Sequence, residues 1–381
     1  MLNRRNLLVS GSALGAAALT LPRMAFAQAA TEKRLLFILQ RGAADGLATI
    51  TPMGDPDYVR QRGRLIDGEN VDQSLDGFFN LHPALTGIGN LYLNKEALFV
   101  HATACSHRER SHFDAQNLLE SGGPKAYETR DGWLNRMLAL LPKPQAAALA
   151  LAPVVPLALQ GPQQVSSYAP SALPDASEDL MQRVSTLYGF DPQLDALWKK
   201  ALQTREMAGD TELRNLRNAR AAGTLAASLM TGPDSARVMM VETNGWDSHA
   251  GQPGQLNRAL QSLDGLVSAY RDGMGEKWQD TMVLVATEFG RTVAVNGTNG
   301  TDHGTASAAM VLGGSVKGGR VLADWPGLRA QDLYEGRDLM PTTSLEAVLA
   351  SSVAQHFALD PTRALATLFP GRALNPIGGL A

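Results

Sequence analysis

The chain has 381 residues, of which 44% are hydrophobic and 19% charged, with a formal net charge of -3 and one cysteine. That length buries a full core, and the mild acidity argues against nucleic acid or an anionic membrane surface as the main partner. A lone Cys105 excludes an intramolecular disulfide, so burial must stabilise the fold.

In chain order, Asn3-Arg4-Arg5-Asn6-Leu7-Leu8 places an arginine pair before a modestly apolar stretch, Leu7 to Leu21, and an Ala25-Phe26-Ala27 cleavage pattern. This reads as a twin-arginine signal over residues 1–27, with cleavage after Ala27. The stretch is too short and too rich in Gly and Ala for stable membrane insertion. The expected partner is the twin-arginine translocation machinery and the expected location is periplasmic or secreted. That route moves folded protein, so a metal can be loaded before export. Cleavage removes Arg4, Arg5 and Arg23 and shifts the net charge from -3 to -6.

Apolar, β-branched runs then recur at wide spacing: Leu35 to Leu39, Leu98 to Ala102, Leu149 to Leu159, Val238 to Val241, Met282 to Ala286 and Ala308 to Leu312. Between them lie helical patterns over Phe113 to Glu120, Trp133 to Leu141, Glu178 to Tyr188, Pro192 to Met230, Gln255 to Met274 and Thr343 to Phe357. Strands alternating with helices predict a three-layer α/β/α sandwich with a mostly parallel central sheet. Residues 28–381 read as one domain, with the charge-rich segment at about 190–230 as a solvated helical insertion.

Five polar stretches carry the candidate chemistry. Asp45 follows the first strand through a glycine turn and faces the sheet edge where open α/β folds keep their sites. Ser111, in Ser106-His107-Arg108-Glu109-Arg110-Ser111-His112-Phe113-Asp114, stands at a helix start, either as an N-cap or as a nucleophile beside His112 and a metal; Ser106 is a weaker rival. Asp247 and His249 are two apart, so an extended segment points both one way. Glu288 leaves a later strand as ligand or base, with Arg291 as a clamp for a phosphate or sulfate oxygen, or as its salt-bridge partner. Asp302 and His303 lie on a glycine-rich loop and project to opposite sides, which suits two neighbouring metals or one metal and an outer contact. Carboxylate with imidazole is a donor set for a divalent ion.

Arg41-Gly42-Ala43-Ala44-Asp45-Gly46, Arg110-Ser111-His112-Phe113-Asp114-Ala115-Gln116, Asn244-Gly245-Trp246-Asp247-Ser248-His249, Thr287-Glu288-Phe289-Gly290-Arg291-Thr292 and Thr301-Asp302-His303-Gly304 together resemble the bacterial exported family named domain of unknown function 1501. One level up, the order resembles the alkaline phosphatase and sulfatase superfamily. That resemblance implies metal ligands at Asp45, Asp247, His249, Glu288 and His303 and a nucleophile at Ser111; Asp302 joins the candidate ligands from its place beside His303, and in a hydrolase Arg291 would steady the developing charge while His112 or His249 moves the proton. The pattern departs in having Asp-Ser-His for Asp-x-x-x-His and Glu-Phe-Gly for Asp-His-Gly, which loses one imidazole, and Ser344 where an Asp is expected. One or two ions are implied, and a site richer in oxygen shifts preference from zinc towards manganese, magnesium or calcium. The residues after Cys105 lack the Cys-x-Pro-x-Arg frame of a sulfatase cysteine, so Cys105 reads as a buried structural thiol.

The implied function is an exported metal-dependent hydrolase of phosphate or sulfate esters, with a small anionic ester as substrate. The alternative is a non-catalytic binding or assembly protein that engages a co-exported protein on the same scaffold.

Overall fold

The segment Arg34–Gln40, RLLFILQ, is buried at every residue, and its side chains alternate between two cores. Leu36 and Ile38 join one cluster; Leu35, Phe37 and Leu39 join the other. A strand apolar on both faces needs cover on both, which makes it central in a parallel sheet. Each such side chain contributes about 1.5–3 kcal/mol of burial. The computed structural model describes residues 32–66, 73–142, 147–169, 178–208, 218–232 and 235–381. The expected export signal lies outside these described residues.

Strand β1 (Arg34–Gln40) is followed by a small antiparallel sheet of β2 (Ile50–Thr51), β3 (Gln73–Ser74) and β4 (Asn80–Leu81). The main sheet continues with β5 (Ala97–Ala104), β6 (Ala148–Ala150), β7 (Val165–Ser167), β8 (Val238–Thr243), β9 (Thr281–Thr287), β10 (Ser307–Leu312), β11 (Arg320–Leu322) and β12 (Thr343–Ser344). Its order is β11-β5-β10-β9-β1-β8-β6-β7, with β12 beside β5. All pairings within it are parallel except those of β10 with β5 and β9. Helices Thr86–Leu93, Ala219–Thr231 and Gln252–Met274 supply one core, and Trp133–Leu138, Leu345–His356 and Pro361–Leu368 the other. The three-layer α/β/α sandwich with a mostly parallel sheet is therefore the observed architecture.

Two expected elements differ. The run Leu149 to Leu159 is not one strand: pairing stops at Ala150, and a 3-10 turn forms at Leu157–Leu159. Pro153 and Pro156 lack the amide a central strand must donate. Within the long helical pattern from Pro192, the described residues form Pro192–Ala208 and Ala219–Thr231, the second opening on an Asn218 cap. The second piece is core, with Leu225, Leu229 and Met230 at most 1% exposed, because its apolar residues recur at helical spacing.

Candidate metal centre

Parallel pairing brings the chemistry together. Gln40 at the end of β1 is in register with Thr243 of β8 and Thr287 of β9, so the loops Arg41 to Asp45, Asn244 to His249 and Glu288 to Thr292 leave one sheet edge. Strand β10 runs antiparallel to β9 and is entered from that edge by the loop Thr301 to Thr305. Strand β5, antiparallel to β10, ends there too and delivers Cys105 to Ser111. Gly42 permits the close approach: its φ is +114°, and a Cβ on it would stand 2.8 Å from the Asp247 amide nitrogen. Gly304 allows a second, since its Cβ would meet the Arg291 carbonyl carbon at 2.4 Å.

Three of the chain's seven histidines converge at this edge. The Nε2 atom of His303 lies 2.9 Å from Nε2 of His112 and 3.0 Å from Nε2 of His249. Asp247 Oδ1 is 3.0 Å from His249 Nε2 and 3.3 Å from His303 Nε2, and Oδ2 is 3.6 Å from His112 Nε2. His112, Asp247 and His303 each present a ligand atom within 4.8 Å of the others. Donors bonded at about 2.0–2.1 Å to one tetrahedral ion stand roughly 3.3 Å apart, close to these separations.

The far side of each imidazole shows why the rings face this way. Nδ1 of His112 meets Glu288 Oε1 at 2.8 Å, Nδ1 of His249 meets Asp302 Oδ1 at 3.2 Å, and Nδ1 of His303 meets the Arg110 carbonyl at 3.2 Å. Each partner is an acceptor, so the hydrogen-bond network assigns the proton of each neutral ring to Nδ1. The Nε2 lone pair of His303 then faces those of His112 and His249, with the Asp247 carboxylate beside them. A cation resolves that repulsion, and an outer acceptor behind each ligating histidine is the usual support of a metal. His112, Asp247 and His303 fit a divalent ion, and His249 Nε2 stands beside the last two.

Glu288 stands behind His112, outside the grouped donors. Its side chain is fully buried, with Oε1 accepting from the Gly42 amide, His112 and Gln116 Nε2 at 2.8 to 2.9 Å and Oε2 from Thr287 Oγ1 at 3.0 Å. Burial alone would raise its carboxyl pKa, but the hydrogen bonds from His112 and Gln116 hold it below the ordinary value. Asp302 is likewise an outer partner, with Asn296 and then His249 lowering its pKa. Burial acts against the charge of Asp247, and the Arg291 guanidinium overcomes it, lowering the pKa. The Glu288 hydrogen bond raises the pKa of His112, while burial and then His112 lower that of His303. Protons therefore compete with a cation more at His112 than at His303. Phe289 stacks on its ring, with centroids 4.8 Å apart.

Other expected site residues do different work. Asp45 is 1% exposed and committed: Arg62 Nη1 reaches Oδ2 at 2.7 Å, Gln252 Nε2 reaches it at 2.6 Å, and Oδ1 accepts from the Ala48 amide. Its oxygens are thus engaged by a guanidinium, an amide and a helix cap, and it lies outside the His112, Asp247 and His303 group. Ser111 takes the N-cap role, Oγ accepting from the Asp114 amide at 3.4 Å. Arg291 is 1% exposed, with Nη1 on Asp247 Oδ1 at 2.6 Å and Nε on Thr301 Oγ1 at 3.1 Å. It supports a ligand from behind, pairs with Asp247 rather than Glu288, and does not reach outward as a clamp. Ser106 accepts from Arg372, Ser344 caps its helix, and Cys105 is buried with its pKa pushed up to about 12 by burial.

His112 adds an imidazole beside that of His303, where the sequence pattern counted one as lost. Sequence reading missed Gln116 and Arg62. Gln116 follows His112 by four residues, one helical turn on the same face, so its place behind the ligand was available from spacing. Arg62 carries no such local signal.

No curated protein matches the chain. Solved structures similar to it include Ps i-CgsB in complex with k-i-k-neocarrahexaose, at 9% identity and a TM-score of 0.44 over 86% of this chain and 72% of that one. Alkaline phosphatase from the Antarctic bacterium TAB5 is 12% identical, with a TM-score of 0.36 over 74% and 92%. Phosphonate monoester hydrolase of Agrobacterium radiobacter is 11% identical, with a TM-score of 0.32 over 91% and 79%. The model of the family described as "Protein of unknown function (DUF1501)" matches residues 101–369, most of the sequence, and the chain belongs to that family.

Proposed function

We propose that this protein is an exported hydrolase of phosphate or sulfate esters that uses one divalent ion, zinc by preference, held by His112, His249, His303 and Asp247. The observation that carries the reading is the convergence of three Nε2 atoms whose Nδ1 atoms all face acceptors. Three imidazoles and one carboxylate are a zinc-type donor set. The cluster also opens to solvent: the side chains of Asp247 and His249 are 42% and 46% exposed, as a site that admits a ligand requires. Such an ion, when bound, supplies Lewis acidity, polarising an ester oxygen and acidifying water.

The inner donors carry one negative charge, so a divalent ion keeps positive charge towards the open side and favours an anionic ester. Arg291 holds Asp247 charged and oriented. Glu288 holds the proton of His112 on Nδ1, and Asp302, itself half exposed, does so for His249 with a path to solvent. Ser111 is occupied as a cap, so water rather than a serine oxygen is the attacking group in this reading. Screening chromogenic phosphate mono- and diesters and sulfate esters with zinc, manganese, magnesium and calcium tests it. Turnover by the wild type that His303→Ala abolishes is the expected result. Metal-loaded wild type without turnover on any ester overturns it, and favours the binding or assembly role that the occupied Ser111 and Asp45 suit.

A further inference from the structure

Two of the three Nδ1 acceptors are side-chain carboxylates, whereas the third is the main-chain carbonyl of Arg110. A carbonyl is placed by backbone conformation alone, and Arg110 has φ +59°, a left-handed value that a non-glycine residue rarely adopts. Strain of this kind persists where surrounding contacts impose it and clusters at functional sites. Here the contacts are on the Arg110 side chain. Nε donates to Asp338 Oδ2 at 2.8 Å and Nη2 to Glu335 Oε2 at 2.5 Å. Asp338 is fully buried and its backbone bridges to Thr292. Thr292 in turn pairs with Asp302, its amide on the Asp302 carbonyl and its hydroxyl accepting from the Asp302 amide. The side chain of Arg110 and its carbonyl are thereby fastened to the same loop pair, one end through Asp338 and the other through His303.

We infer that Arg110 is a positioning residue of the metal centre: its ion pairs with Asp338 and Glu335 hold a left-handed backbone whose carbonyl fixes the proton of His303 on Nδ1 and frees Nε2 for the ion. The inference rests on the metal-centre reading above, not on the hydrolase activity. A direct electrostatic role has the opposite sign, because removing a cation near a bound cation would tighten metal binding.

The test is a zinc titration against a competing chelator for wild type, Arg110→Ala, Arg110→Gly and Glu335→Gln, with nitrogen-15 NMR of the histidine rings in the metal-free proteins. Loss of an outer partner typically weakens metal affinity about 10–100-fold, and Arg110→Ala is expected in that range. Arg110→Gly should lose less, since glycine adopts the left-handed conformation without strain. Glu335→Gln, at an exposed side chain, should fold normally and lose least. In Arg110→Ala the His303 signals should move from the pure Nδ1–H form to a tautomer mixture. Equal zinc affinity in wild type and Arg110→Ala, or equal losses in the alanine and glycine variants, overturns the inference. If wild type binds no zinc, the metal reading falls, and the tautomer spectra still decide whether Arg110 orients His303; an unchanged His303 spectrum in Arg110→Ala overturns it.

Discussion

Asp45 and Asp247 are two carboxylates a few residues beyond neighbouring parallel strands of one sheet, and they have opposite fates. Asp45 is sealed, with its side chain and that of Arg62 at 1% and 0% exposure. Asp247 is 42% exposed and faces three imidazoles, with Arg291 behind it. Both carboxylates lie beside an arginine. The difference is what stands on the other side: a helix start and Gln252 for Asp45, ring nitrogens and solvent for Asp247. An acidic residue at a strand end therefore marks the functional edge without saying whether it serves the fold or the ion.

The strongest way to break this contrast is Asp45→Ala. Removing one partner of a buried pair leaves an uncompensated charge and costs about 3–5 kcal/mol, so chemical denaturation should show a loss of that size, while the folded fraction still binds zinc. Acid sharpens the same point. Burial opposes the Asp45 charge, yet Arg62 brings its pKa below the ordinary 3.8. A carboxyl with a lowered folded pKa contributes stability that is present above the unfolded value and lost as pH falls through the folded one. The stability gap between wild type and Asp45→Asn should accordingly narrow as pH drops below about 4, in denaturation midpoints measured across pH. A gap that widens in acid would contradict the ion pair.

On the metal side, Glu288→Gln should weaken zinc affinity about 10–100-fold by disturbing the acceptor behind His112, as read by chelator competition. The smallest effect belongs to Ser111→Ala, which should cost about 1 kcal/mol as a lost cap and leave zinc binding and any esterase turnover intact. Abolished turnover with zinc retained would restore Ser111 as a nucleophile.

The strands were legible because Leu35 to Leu39, Val238 to Val241 and Met282 to Ala286 are buried on both faces and so read as continuous apolar runs. Leu149 to Leu159 is apolar in the same way, but Pro153 and Pro156 end its pairing. The clustering was legible as well: Asp247, His249 and His303, singled out from the sequence, lie together at one sheet edge. Their division of labour was not. Whether Glu288 or Asp302 meets an ion directly depends on which imidazole stands in front of it, and His112, His249 and His303 arrive from three separate loops. The Arg62 pairing of Asp45 was not legible, because Arg62 reaches it only through the folded chain, on a helix whose sequence, Pro56–Arg62, shows an ordinary cap and basic end.

The most direct test is the metal content, by elemental mass spectrometry, of wild type, His303→Ala and Asp45→Ala purified in parallel. One equivalent of zinc in the wild type and in folded Asp45→Ala, and none in His303→Ala, is the predicted outcome. A metal-free wild type after zinc loading, or zinc lost from folded Asp45→Ala and kept by His303→Ala, would contradict a centre built from three imidazoles and Asp247.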